Sequence, residues 1–272
     1  MLEAVRAPDL ATHVRCIEAS PADRATLERV HAAQYLDTLA ALSARGGGVI
    51  DPDTILGPRS WESVLASAGC AVRAVEEALQ GAGTAFAATR PPGHHALAAR
   101  AMGFCFVNNV VVAARHAQAN GAARVLIVDW DVHHGNGTQG IVETDPSIRF
   151  VSLHQYPWYP GTGAADERGC GNVWNVPRPP GLPRATYVRD LLAAVDAALS
   201  GWTPDALLIS VGCDSLEGDP LGGFTLQPDD FTHWTATLRA RMGTRPVIAV
   251  LEGGYRLDLL AAGVTAVVRA LY

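Results

Sequence analysis

Along the chain, short apolar runs alternate with amphipathic segments, the order expected of a parallel sheet covered by helices. Strands are predicted at 85–89, 124–130, 149–154, 172–176, 206–211 and 247–251. Helices are predicted at 22–30, 33–44, 61–80, 107–120, 185–199, 228–242 and 257–271. The Pro- and Gly-rich stretches 157–171 and 177–183 read as longer loops at strand ends, where α/β folds carry function. Gly46-Gly47-Gly48 reads as a loop within a surface that continues through 51–60, and no linker, repeat or low-complexity tract divides the chain.

Composition narrows the class. At 272 residues the chain fits one large α/β domain with a substantial core. Its 49% hydrophobic and 18% charged residues are those of a globular protein, and no stretch has the length and purity of a membrane span. A net charge of -6 and scattered arginines argue against the basic face that nucleic-acid binding needs. All 21 basic residues are arginine, so the chain supplies neither a Schiff-base lysine nor the lysine of a phosphate-binding loop. The cysteines Cys16, Cys70, Cys105, Cys170 and Cys213 include no C-x-x-C pair, and three of them are predicted to be buried. That usage fits a reducing cytoplasm, and Met1 to Leu10 lacks the basic start and apolar run of a secretory signal.

Candidate chemistry gathers at one strand end. The run Val125-Leu126-Ile127-Val128 leads into Asp129-Trp130-Asp131-Val132-His133-His134-Gly135-Asn136-Gly137. Strand alternation sends i and i+2 to one side, so Asp129, Asp131 and His133 are expected to converge, with Asp131 and His133 as ligands to one divalent metal. Three more predicted strands end in reactive groups. The first leads into Arg90-Pro91-Pro92-Gly93-His94-His95, the second into Gly212-Cys213-Asp214, which offers a third ligand, and the third into Glu252-Gly253-Gly254-Tyr255. Parallel sheets place ligands at the carboxyl ends of their strands, so all these groups fall on one edge. Each also has a plainer role: acids as turn caps, His94 and His95 as turn residues, Tyr255 as a packed aromatic. Their joint occurrence favours a site.

On these motifs the chain resembles the zinc-dependent histone deacetylase family, which includes the bacterial acetylpolyamine and acetoin-utilisation relatives, and it looks closest to the class II branch. The resemblance runs from about His31 to the C-terminus. It also rests on Gly103-Phe104-Cys105-Phe106-Val107-Asn108-Asn109, Tyr159-Pro160-Gly161-Thr162-Gly163 and Leu251-Glu252-Gly253-Gly254-Tyr255. It implies an arginase-like single domain, a parallel sheet with helices on both faces, and one zinc held by Asp131, His133 and Asp214. Two carboxylates and an imidazole leave coordination positions open, as a catalytic zinc requires, and iron or another divalent ion fits the same set.

The implied reaction is hydrolysis of an N-acyl amide, most simply acetyl-lysine. By resemblance His95 is general base and then acid, and His94, held by Asp129, is its electrostatic and proton-handling partner. Asn136 stands behind His95 where class I relatives carry Asp. Tyr255 donates to the developing oxyanion. Phe104 and Tyr159 sandwich the aliphatic chain, the Gly103 carbonyl accepts the substrate amide hydrogen, Leu221 and Gly253 complete the substrate site, and Trp158 lines the rim. Ser152 and Leu153, with backbone groups of Asp129, Asp131 and His133, match a structural potassium site.

Relatives begin with a strand and a His-Pro-Glu-x-Pro-x-Arg loop that is not in this sequence, so a more open site and a homo-oligomer covering the exposed apolar surface are expected. The expected partners are an acylated lysine, peptide or small amine, with no nucleic acid and no membrane. Three other readings compete. A polyamine deacetylase would want an acid where Leu221 stands, although Glu217 is near. A two-manganese ureohydrolase would need more carboxylates than His94, His95 and Asn136 supply. A non-enzymatic acyl-lysine binder would not need Tyr255.

Overall fold

The computed structural model describes residues 8–272, and residues 1–7, most of the stretch read above for a signal, lie outside the described residues. In chain order the helices are α1 (Pro8–Ala11), α2 (Arg24–Glu28), α3 (Ala33–Ala44), α4 (Ser60–Glu77), α5 (Asn109–Ala119), α6 (Asn136–Val142), α7 (Arg184–Leu199), α8 (Pro228–Met242) and α9 (Leu257–Leu271). The strands are β1 (Gly48–Asp51), β2 (Thr54–Leu56), β3 (Thr84–Ala87), β4 (Val125–Asp129), β5 (Ile148–Gln155), β6 (Val173–Arg178), β7 (Ala206–Val211) and β8 (Val247–Leu251). Strands β3 to β8 form one six-stranded sheet in the order β3-β8-β7-β4-β5-β6, parallel throughout. The expected α/β architecture is therefore present.

Alternation along the central strands feeds two cores. Val125 and Ile127 of β4, Leu208 of β7 and Ile248 and Val250 of β8 pack on one face with Leu36, Leu39, Val64, Val75, Val110 and Val111 from α3, α4 and α5. Leu126, Val128, Leu207, Ile209, Val247 and Ala249 point the other way, onto Tyr187, Leu191, Phe231, Trp234, Val264 and Val267 from α7, α8 and α9. Each such fully buried side chain contributes about 1.5–3 kcal/mol by leaving water. A strand buried on both faces has no polar side, which is why β4 and β8 read as continuous apolar runs.

Helix boundaries follow local caps. Asn108 ends the predicted extension of α5, because its Oδ1 accepts the Val111 N–H at 3.1 Å. Pro228 opens α8 behind a reciprocal Gln227–Asp230 capping box, and Gly243 closes it with φ 62°. The predicted 22–30 helix shrinks to α2, capped by Asp23, whose Oδ1 accepts from Thr26 N at 2.7 Å. The predicted 61–80 helix is α4 followed by a π-helical turn, Ala78–Ala82.

The short α1, the β1–β2 pair and α6 were not expected. The segment read as loop and surface is an antiparallel hairpin, β1 paired with β2, whose short strands are part-exposed and carry no clear period. Helix α6 begins inside the Asp129 to Gly137 motif and contains Gly137 and Gly140, weak helix formers that conceal it. Three buried cysteines were expected and two are found: Cys105 and Cys213 are buried, Cys70 is half-buried, Cys16 and Cys170 are exposed, and all five are free thiols. Among the described residues no helix is long and apolar enough to cross a membrane.

Ile127→Ala, in the centre of β4, is expected to cost about 2–5 kcal/mol in urea unfolding. Val49→Ala on the hairpin, where Val49 is 70% exposed, should stay within about 0.5 kcal/mol.

Candidate active site

Chain order and strand order differ in one decisive place. The chain passes from β4 outward through β5 to β6, then returns to insert β7 on the other side of β4. The carboxyl ends of β4 and β7 flank this reversal, the position where open α/β sheets bind ligands. The register is level there, with Asp129 opposite Ser210 and Val211 opposite Leu251. Asp131 and His133 follow β4, Asp214 follows β7, Tyr255 follows β8 and the His94–His95 pair follows β3.

The three expected ligands meet. Ligand atoms of Asp131, His133 and Asp214 lie within 4.8 Å of one another, and all three residues are buried. His133 Nδ1 is 3.0 Å from Asp131 Oδ1 and 3.2 Å from Asp214 Oδ2. The residues fit a divalent cation on two grounds. Asp214 Oδ2 is buried without a hydrogen-bond partner, and the donors are two carboxylates and an imidazole. Gly253 closes the cluster from β8: a Cβ there would lie 2.2 Å from Asp214 Oδ2, so only glycine leaves the oxygen room.

The convergence does not come from strand alternation. Strand β4 ends at Asp129, and two side-chain bonds carry the chain onward. Asp129 Oδ1 accepts from Asp131 N at 3.0 Å, and Asp131 Oδ1 accepts from His133 N at 2.9 Å. Each acid folds the backbone two residues ahead in an Asx turn, so the spacing of two comes from capping rather than pleating.

The two imidazoles are 4.0 Å apart between ring centroids and are driven in opposite directions. His94 Nδ1 lies 3.0 Å from Asp129 Oδ2. Burial disfavours its charged form, but Asp131, Asp129 and Glu252 together outweigh that and raise its pKa to about 10. Burial, followed by the positive fields of His94 and His133, pushes His95 well below its ordinary value. His95 Nδ1 lies 2.7 Å from Asn136 Oδ1, and Asn136 Nδ2 donates to Met102 Sδ at 3.3 Å. With the amide so turned, Oδ1 can only accept. His95 therefore carries its proton on Nδ1 and presents the Nε2 lone pair.

A cavity of about 310 Å³ opens over these groups, lined by Asp53, His95, Gly103, Phe104, His133, Trp158, Tyr159, Leu221 and Tyr255. Of the residues expected at the substrate site, Gly103, Phe104, Tyr159 and Leu221 line it, as does Trp158, whereas Gly253 lies against Asp131 and Asp214 instead. Phe104 has φ 65°, rare for a bulky residue, and packs edge-on against Tyr255 with centroids 5.8 Å apart. Its N–H donates to Thr54 Oγ1 at 3.1 Å, and Thr54 Oγ1 donates to Asp53 Oδ1 at 2.7 Å, so the hairpin is tied to the channel wall. Burial, and then Asp214 and Asp131, raise the Tyr255 pKa and keep its phenol a neutral donor.

Ser152 and Leu153 lie on β5 beside the site rather than in the cavity. Ser152 pairs in register with Asp129, and its Oγ is 2.9 Å from His154 Nδ1. Two residues were missed by the sequence reading. Asp53 reaches the cavity from the unexpected hairpin, and the Asp-Pro-Asp-Thr turn was its only signal. Glu252 is buried, its Oε2 accepting from Gly93 N at 2.7 Å and His94 N at 3.1 Å and its Oε1 from Ser210 Oγ at 3.2 Å. It orients the turn that carries both imidazoles.

Comparison with known proteins agrees with this geometry. The family described as "Histone deacetylase domain" matches residues 1–271, extending the resemblance to before His31. A probable deacetylase of Methanothermobacter thermautotrophicus is 38% identical over 278 residues, covering 100% of this chain and 82% of that protein. The crystal structure of the HDA15 HD domain superposes with a TM-score of 0.94 at 37% identity, covering 99% of this chain and 78% of that one. The acetylpolyamine aminohydrolase of Burkholderia pseudomallei gives 0.89 at 28% identity, covering 99% and 88%. The chain belongs to the histone deacetylase domain family, a family of hydrolases.

Replacing the amide behind His95 by a carboxylate, Asn136→Asp, favours the imidazolium and raises the His95 pKa. Because a base must be neutral to act, the acid limb of the kcat/KM profile should move to higher pH. An unmoved limb would show that His95 is not the titrating base.

Proposed function

We propose that this chain is a zinc-dependent deacylase that hydrolyses N-acyl-lysine side chains or related linear amides. The observation carrying this reading is the buried Asp131–His133–Asp214 cluster beside a His95 whose Nε2 lone pair is free, both at the floor of one narrow cavity. Zinc held by those three residues would polarise the acyl carbonyl and lower the pKa of a water beside it.

The remaining chemistry falls to this chain's side chains. His95 Nε2 removes a proton from the attacking water and returns it to the departing amine, so amide and water become carboxylic acid and amine. His94, positively charged and fixed by Asp129, biases its neighbour toward the neutral form and supplies a positive field. The Tyr255 hydroxyl donates to the oxygen on which negative charge develops. Phe104 and Tyr159 enclose the aliphatic stem of the substrate, the Gly103 carbonyl accepts its amide hydrogen, Leu221 and Trp158 bound the mouth, and Gly253 stays beside Asp131 and Asp214 below it. Asp53 gives the mouth a carboxylate for N–H groups or a cation. Ser152 and Leu153, with backbone carbonyls of Asp129, Asp131 and His133, complete the reading as a structural potassium site.

A second reading, an acetylpolyamine substrate, draws support from Asp53 and from the likeness to the Burkholderia enzyme. Leu221 weighs against it, since the opposite rim offers a second amine no charge.

Purified chain with one equivalent of zinc by elemental analysis should turn over an acetyl-lysine peptide faster than acetylputrescine. The reverse preference would replace the first reading with the second, and zinc-loaded protein inert on every acylated amine would remove both. Tyr255→Phe should keep its zinc and lose on the order of a hundredfold or more in rate. Zinc uptake supplies an independent check. Burial opposes the charged form of His133, but Asp131 and Asp214 outweigh it and raise its pKa to about 10. A metal ligand must be deprotonated, so calorimetric titration near pH 8 in buffers of different ionisation heat should report release of about one proton.

A further inference from the structure

Tyr255 follows two glycines, and Gly254 has φ 141°, a conformation that restrains little by itself. The local chain therefore does not fix where the phenol points. Before Tyr255, Gly253 is anchored on both sides: its N–H donates to Asp131 Oδ2 at 2.9 Å and its carbonyl accepts from Cys213 N at 2.7 Å. After Tyr255 begins the exposed start of α9, where Leu257 is 79% exposed.

The second anchor is Asp219. This carboxylate is 5% exposed and spends both oxygens on backbone. Oδ2 accepts from Tyr255 N at 2.8 Å and Arg256 N at 3.2 Å, and Oδ1 accepts from Leu221 N at 3.0 Å. The neighbouring Arg256 guanidinium turns instead to Asp258, at 2.9 and 2.6 Å, and to the Gly218 carbonyl at 3.4 Å. Leu221 is held from its other side by Trp158, whose Nε1 donates to the Leu221 carbonyl at 2.9 Å. One carboxylate thus sets the spacing between Tyr255 and Leu221, two lining residues of the cavity.

We propose that Asp219 is a positioning residue: by holding the Tyr255 and Arg256 amides it fixes the phenol over the cavity floor, and by holding Leu221 it fixes the facing rim. The role rests on the deacylase reading, because it acts through Tyr255. A misplacement of about 1 Å in such a group costs up to a hundredfold in rate.

The test uses the full zinc-loaded chain and four proteins: unaltered, Asp219→Ala, Tyr255→Phe and the double variant. Asp219→Ala should lower kcat by about ten- to a hundredfold with zinc content retained. In the Tyr255→Phe background the same change should lower kcat by no more than about threefold, since a positioning effect has nothing left to position. Losses that multiply in the double variant, or Asp219→Ala within about twofold of the unaltered rate, would overturn the proposal. Leu238→Ala, in α8 and away from the cavity, serves as a destabilised control that should keep its kcat. Should Asp219→Ala fail to fold, Asp219→Asn is the measured variant; it retains one acceptor oxygen and should fall between the two, and an unaltered rate there is equally fatal.

Amide hydrogen exchange over residues 252–260 gives a readout independent of turnover. Exchange at Tyr255 and Arg256 should accelerate in Asp219→Ala, and unchanged protection refutes the anchor. If the unaltered chain shows no turnover while exchange accelerates as expected, the deacylase reading fails and the anchor stands.

Discussion

The carboxylate of Asp131 accepts backbone hydrogens from His133 at 2.9 Å and from Gly253 at 2.9 Å, and so ties together the segments that follow β4 and β8. A fully buried carboxylate is costly unless its oxygens are satisfied, and here the partners are main-chain groups of two different strand ends. The group that offers itself to a cation is therefore also a clip across the sheet. Removing it would strip two buried N–H groups of their acceptor as well as removing a ligand, so metal binding and local fold cannot be separated at this residue.

The same reasoning explains how one polar cluster keeps one imidazole charged and its neighbour neutral. Two imidazoles 4.0 Å apart do not readily carry charge together. The protein settles the contest with unlike supports, a carboxylate behind His94 and an amide behind His95. Glu252, whose burial raises its pKa to about 7 against the opposing pull of His94, ties the histidine turn to β8 through backbone N–H groups. Separated proton affinities in adjacent groups are the arrangement that acid–base chemistry near neutrality needs.

Much of this was legible in the chain, for reasons that also mark where legibility stops. Strands β4, β7 and β8 are buried on both faces, so their sequence has little freedom and the boundaries of β7 and β8 are read correctly to the residue. The four strand ends were readable because reactive residues follow apolar runs directly. The route between them was not. Asp129, Asp131 and His133 suggested a pleat, yet Asx turns supply the spacing, and a residue can cap a turn and line a site at once. Asp53 sits on a hairpin whose Val49 and Ile55 face outward, so no buried stripe announced it. Glu252 looked like part of a motif, and its bonds to Gly93 and His94 join positions 158 and 159 residues apart, pairings no local pattern encodes.

Asp129, Asp131, Asp214 and Glu252 are all buried at one edge of the sheet, an arrangement that opposes folding through desolvation and mutual repulsion. It persists because the opposing term is local and the supporting one is not. The two apolar cores on either side of the sheet hold the strands at level register whatever happens at their ends. Backbone N–H groups, His94 and His133 then offset much of the charge; His133 Nδ1 lies 3.2 Å from Asp214 Oδ2, an oxygen that has no hydrogen-bond partner. A divalent cation held there would offset the mutual repulsion of these carboxylates, so affinity for the metal is coupled to the electrostatic energy of the fold.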